Sequence, residues 1–153
     1  MNRRRVFLRA SLALSVALAG CLGFVDAGGP EADCSDDWSP IIEADEPTIA
    51  PGENMTVHIT TANVSGVRFP INAPLLQWMK FNDGTVSPRY DTSTDGYPPG
   101  YYWEECVNAE ITIPVSIPQD AEPGHYTYGV RVVQNTETGD SLTRNFSVTV
   151  SGD

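Results

Sequence analysis

The sequence predicts an all-β domain, a single antiparallel β-sandwich set behind an N-terminal signal and a flexible tether. Three observations predict it. Apolar and polar residues alternate with period two at Met55–Thr60, Ile111–Ile117, Tyr126–Val133 and Phe146–Val150, the pattern of half-buried strands. Turn signals in the second half recur at about the 8–12-residue spacing of a sandwich. No stretch as long as an ordinary helix shows helical periodicity, and Gly plus Pro make up 25 of the 153 residues, which favours turns over long helices.

Taken in order, residues 1–21 are a targeting segment and stand outside the fold. A basic stretch, Asn2 to Arg9, precedes an apolar run from Ala10 to Gly20 and then Cys21. That run is too short for a spanning helix, which needs about 20 apolar residues. Residues 22–40 read as an acidic tether containing Gly23, Gly28, Gly29 and Pro30, which stands the domain off the membrane. The domain then covers 41–153. Ile41 to Ile49 is its first strand, ended by the turn Ala50-Pro51-Gly52-Glu53. Met55, Val57 and Ile59 mark the second strand. Gly66 to Pro74 reads as loop. Leu75 to Phe81 reads as the central strand, followed by an Asn82-Asp83-Gly84 turn. Pro88 to Gly100 reads as a long loop. Ile111 to Ile117 is a strand whose Pro114 lies on the polar face, so it is expected at an edge or near a strand end. Asp120 to Gly124 and Asn135 to Asp140 are turns flanking the Tyr126–Val133 strand, and Phe146 to Val150 closes the chain.

Charge narrows the function. The chain carries 9 Lys and Arg against 20 Asp and Glu, a net −11. Four of the arginines lie in the first nine residues. From Cys21 onward 133 residues hold 5 basic and 20 acidic groups, with Lys80 the one lysine. Nucleic-acid binding needs a basic patch that displaces phosphate counterions, so nucleic acid is excluded as a partner. Electrostatic docking on anionic lipid is disfavoured for the same reason.

Arg4-Arg5-Val6-Phe7-Leu8-Arg9 resembles the twin-arginine export signal, with Arg4, Arg5, Phe7 and Leu8 in its motif positions and Arg3 where Ser or Thr is usual. Leu18-Ala19-Gly20-Cys21 looks like a lipobox. The resemblance implies that Cys21 is lipidated and becomes the mature N-terminus, anchoring the protein to the outer face of the cell membrane. Signal and acidity together resemble the exported lipoproteins of halophilic archaea, whose surfaces suit molar salt. At that salt the Debye length is about 3 Å and dense carboxylates repel little. With Cys21 lipidated, Cys34 and Cys106 remain. They are either a disulfide closing a 72-residue loop, which an exported protein permits, or two buried thiols.

The stretch from Val115 to Tyr128, with Pro118, Pro123, Gly124 and Tyr126, resembles the end of immunoglobulin-like, or fibronectin-III-like, domains of prokaryotic surface proteins. That resemblance implies an immunoglobulin-like sandwich. It also implies that Tyr126 is a tyrosine corner, its hydroxyl bonded to the chain upstream. It says little about function.

Residues that carry chemistry are few. His58 and His125 are the two histidines, and no nucleophile elbow, phosphate loop or zinc-protease helix accompanies them, so the expectation is no enzyme. A blue-copper site needs a His and a Met close after a Cys near the C-terminus, and Cys106 has neither. No cofactor is expected, with calcium the ion to consider: Asp91, Ser93 and Asp95 ahead of Gly96 match the opening of a calcium loop, although Tyr102 stands where the bidentate Glu belongs. Tyr97-Pro98-Pro99-Gly100-Tyr101-Tyr102-Trp103 is either an aromatic platform or partly core. As a platform, Tyr97, Tyr101, Tyr102 and Trp103 would suit carbohydrate stacking or a protein hot spot. Asn54, Asn63 and Asn145 head sequons. The expected function is a lipid-anchored, salt-adapted surface binding or interaction module whose partner is an envelope protein or glycan. The alternative is a solute-capturing or calcium-dependent carbohydrate-binding domain using the Tyr97–Trp103 loop.

Overall fold

The computed structural model describes residues 38–71, 73–134 and 140–152. The twin-arginine motif with Arg4, Arg5, Phe7 and Leu8, the lipobox Cys21, and Cys34 all lie outside the described residues. So does most of the tether.

Among the described residues eight strands form the fold: β1 (Ile41–Ala44), β2 (Thr48–Ile49), β3 (Asn54–Arg68), β4 (Thr85–Ser87), β5 (Thr92–Ser93), β6 (Tyr101–Ser116), β7 (Gly124–Val133) and β8 (Ser141–Val150). They make an immunoglobulin-like sandwich in which the two longest strands serve both layers. The first half of β3 pairs with β1 and with the second half of β6, which also carries β4. Past the register shifts at Thr61 to Gly66, the second half of β3 pairs with the start of β6 and with β7, and β7 continues to β8 and the parallel β2. Bulges bend a strand and increase its twist, and here they carry β3 and β6 from one layer into the other. Val57, Ile59, Ile111, Ile113, Val130, Val132 and Val148 fill the core between the layers.

The expected turn at Ala50–Glu53 is present. Glu53 N–H donates to the Ala50 carbonyl at 3.2 Å, and Gly52 has φ +83°, which places it at the left-handed position of a turn that Pro51 opens. The tyrosine corner is present too: Tyr126 Oη donates to the Glu122 carbonyl at 2.6 Å.

Two expectations are corrected. Leu75–Phe81 is not a strand. Leu75–Trp78 is one helical turn (α1), and Phe81–Asp83 is a 3-10 turn. Leu75, Trp78 and Met79 are buried together, and their spacing of three and four suits a helical turn; a short apolar run alone does not separate the two conformations. This segment closes one side of the sandwich, since Gly129 N–H donates to the Pro70 carbonyl and Lys80 N–H to the Pro114 carbonyl. Second, Gly66 to Arg68 belongs to β3 and Tyr101 to Glu110 to β6, both missed because the bulges interrupt alternation. The proline expectation holds: Pro114 lies two residues before the end of β6 and beyond the stretch that β4 borders. Pro114 is tolerated because its nitrogen points the same way as its carbonyl, toward Lys80, where β4 has already stopped at Thr112 and no ladder donor is needed.

Candidate functional site

The aromatic segment divides by the alternation of β6. Tyr101 and Trp103 point inward and are each 6% exposed. Tyr101 packs on Phe69 and Tyr90, with ring centroids 6.2 and 4.9 Å away. Burial first, and then the neighbouring Tyr90, push its phenol above the usual tyrosine range. Trp103 Nε1 donates to the Pro88 carbonyl at 3.2 Å. The four aromatics therefore do not form one surface platform. Only Tyr97 and Tyr102 reach solvent, because residues of one strand two apart share a face and that face is the core.

Tyr97 is 49% exposed yet fixed. Its hydroxyl donates to the Met79 carbonyl at 2.7 Å, and its ring stands edge-on to Phe81 at 5.6 Å. The segment from Pro88 to Gly100 is thus tied at several points. Thr92 and Ser93 pair with Tyr102 and Tyr101. Thr94 N–H donates to the Gly100 carbonyl at 3.0 Å, and Gly100 N–H returns to Thr94 Oγ1 at 2.7 Å.

The same pairing places the residues of the calcium expectation. Asp91 Oδ2 already accepts Glu104 N–H at 2.8 Å, and Ser93 lies in β5. Among the described residues no group of three or more His, Cys, Asp or Glu side chains converges. Asp91, Ser93 and Asp95 thus lie on the first arm of the β5–β6 hairpin or just beyond it.

Tyr102 lies over two glycines. A Cβ on Gly66 would sit 2.7 Å from the Tyr102 ring, and one on Gly100 would sit 3.0 Å from its hydroxyl and 3.3 Å from Arg68 Cγ. The missing side chains let the ring and the arginine stem close on the backbone. The Arg68 guanidinium stacks over the Tyr102 ring at 5.2 Å, and its Nε donates to the Tyr102 hydroxyl.

Beside this stack lies a cleft of about 340 Å³. It is lined by Arg68 and Arg131, by Phe69 and Pro70, and by Pro98 and Pro99 of the tied loop. Sequence reasoning missed Arg68 and Arg131. They are 63 positions apart, and only the pairing of β3 with β7 sets them opposite one another. The available signal was scarcity, because they are two of only five cations after Cys21.

Of the sequons, Asn54 and Asn145 are exposed. Asn63 is half-buried at φ 60°, and its carbonyl accepts Trp38 Nε1–H at 2.9 Å. His58 is exposed on β3, and His125 Nδ1 lies 2.9 Å from Thr149 Oγ1 on the outer face of β7 and β8. Cys106 is buried on β6, its Sγ 3.8 Å from the Gln134 carbonyl.

No protein-family model matches the chain, and no curated protein matches it. Among solved structures it is similar to a chain of a type I cohesin–dockerin complex from Clostridium thermocellum (11% identity, 74% of this chain and 99% of that one, TM-score 0.47). It is also similar to a type III cohesin module of a cell-surface anchoring scaffoldin from Ruminococcus flavefaciens (16%, 76% and 84%, TM-score 0.41). A third similarity is to a family 123 glycoside hydrolase from Clostridium perfringens (19%, TM-score 0.38), where 69% of this chain matches 22% of the enzyme. These likenesses concern the fold. No helix among the described residues is long and apolar enough to cross a membrane.

Proposed function

We propose that this protein is a non-catalytic interaction module displayed on the outer face of the cell membrane. It is exported through the twin-arginine route, held by lipid on Cys21 and adapted to high salt, with Cys34 and Cys106 joined to pin the tether to the sandwich. The observation that carries this reading is the tied loop. Ring packing, strand pairing and side-chain bonds fix Pro88 to Gly100 before any partner arrives. A surface fixed in advance loses little conformational freedom on binding and keeps more of its contact energy as affinity. Tyr97, an amphipathic ring held at 49% exposure, has the character of an interface anchor.

Cross-linking of intact cells at native salt, with partners read by mass spectrometry, tests this. The expected result is one dominant envelope protein cross-linked beside residues 88–100. No partner above background would overturn it and favour a small solute or glycan. Cys21→Ser is expected to release the protein from membranes, and unchanged partitioning of that variant would refute the anchor.

A further inference from the structure

Arg68 and Arg131 occupy directly opposed positions on antiparallel β3 and β7. Opposed residues share one face with their Cβ atoms about 5 Å apart, where like charges repel. In a chain this acidic such a pair should be flanked by carboxylates. Among the described residues it has none: Arg68 bonds to the Tyr102 hydroxyl, and Arg131 Nη2 donates to Ser141 Oγ at 2.8 Å. Among the described residues no acidic side chain lines the cleft that they share. Each guanidinium therefore keeps donors to spare. Arg68 is also held in place by Tyr102 stacking and by Gly100 against its stem.

We propose that this cleft receives the carboxylate of an acidic side chain on a protein partner. The inference deepens the interaction-module reading and rests on it. Arginine forks match carboxylate geometry and form charge-assisted bonds. The walls choose among carboxylates. Phe69, Pro70, Pro98 and Pro99 present hydrocarbon, prolines have no N–H, and Thr94 Oγ1, which accepts Gly100 N–H, has one donor left to offer. A sugar acid brings a ring of hydroxyls that would find few partners here. The short apolar stem of Glu or Asp suits these walls, and the volume of about 340 Å³ is at the small end of ligand sites.

The test is an NMR titration of the full chain at fixed ionic strength. It follows the Arg68 and Arg131 Nε and the Thr94 and Gly100 amide signals. The probes are the blocked pentapeptide Gly-Gly-Glu-Gly-Gly, its Gln counterpart and sodium glucuronate. The Glu peptide is expected to shift these signals with saturation in the millimolar range, and the Gln peptide is not. Arg131→Gln, which leaves the Tyr102 stack intact, is expected to weaken binding about tenfold with the rest of the amide spectrum unchanged, and Arg68→Gln is expected to weaken it likewise, with further shifts confined to the surroundings of Tyr102. Equal responses to the Glu and Gln peptides, or an unaltered Arg131→Gln response, overturn the proposal. Glucuronate binding tenfold tighter than the peptide overturns the protein-partner assignment. In cells the two readings separate. A partner still cross-linked to the Arg68→Gln, Arg131→Gln double variant would leave the module standing and remove the cleft. Peptide binding without any cellular partner would do the reverse.

Discussion

Tyr128→Phe tests how the layers are joined. Tyr128 is fully buried on β7, and its hydroxyl donates at 2.6 Å to the carbonyl of Asp45, between β1 and β2. The substitution keeps the ring and its packing on Phe146 and deletes one donor. A buried acceptor left without a partner costs about 1–3 kcal/mol. Asp45 itself is exposed, so water partly recovers its carbonyl, and the expected loss is about 1–2 kcal/mol. For a domain of this size that is a fall in Tm of about 4–8 °C. Tyr126→Phe is the internal control. It deletes a bond of equal length at an exposed turn, and its expected cost is about 0.5 kcal/mol. Urea or thermal unfolding of both variants at molar salt measures the difference. The pH dependence gives a second readout. Burial, then the negative charges of Asp45 and Glu46, hold the Tyr128 phenol far above its ordinary pKa of 10.0. Below about pH 10 both states keep the proton and the group contributes no slope. Above it the unfolded chain ionises while the fold does not, so stability falls as pH rises, by up to about 1.4 kcal/mol per pH unit. Tyr128→Phe is expected to flatten that alkaline fall, leaving the smaller share of Tyr101. Equal losses for the two variants, together with identical alkaline slopes, would refute the reasoning.

Other expectations follow from the same geometry. Trp103→Ala should cost about 3–5 kcal/mol, whereas Tyr97→Ala, half exposed, should cost under about 1.5 kcal/mol; unfolding midpoints compare them. Gly66→Ala should force Tyr102 aside and cost about 1–3 kcal/mol, with the Tyr102 ring signals moving in the NMR spectrum. The unfolding midpoint should rise steeply from low to molar NaCl or KCl as screening relieves acidic repulsion, and a midpoint flat across that range would remove the salt-adaptation reading.

The sequence revealed strands wherever alternation ran unbroken. Ile111–Ile117 as far as Ser116, Tyr126–Val133 and Phe146–Val150 lie in β6, β7 and β8, and Pro123-Gly124 ahead of Tyr126 marked the corner. Alternation failed as a guide where strands change layer. Along Trp103-Glu104-Glu105-Cys106 two exposed residues stand together between two buried ones, because the shift in register there places extra β6 residues opposite β3. The Leu75–Phe81 run misled for a different reason: its length permits either conformation, and tertiary packing chose a helical turn. In the aromatic segment the residue types drew attention, but the pleat decided which rings face solvent. The Arg68–Arg131 pair was beyond sequence reading because only the register between β3 and β7 brings the two together.

The parallel pairing of β2 with β8 has a mechanical consequence. Tension drawn between the chain before Thr48 and the chain after Val150 pulls these strands in opposite directions along their own length. The bonds from Thr149 N–H to Pro47 and from Ser151 N–H to Ile49, at 2.8 and 2.9 Å, then share the load in shear and must give way together. An antiparallel terminal pair would instead peel apart one bond at a time. A sandwich built this way resists being drawn out by the ends of β2 and β8.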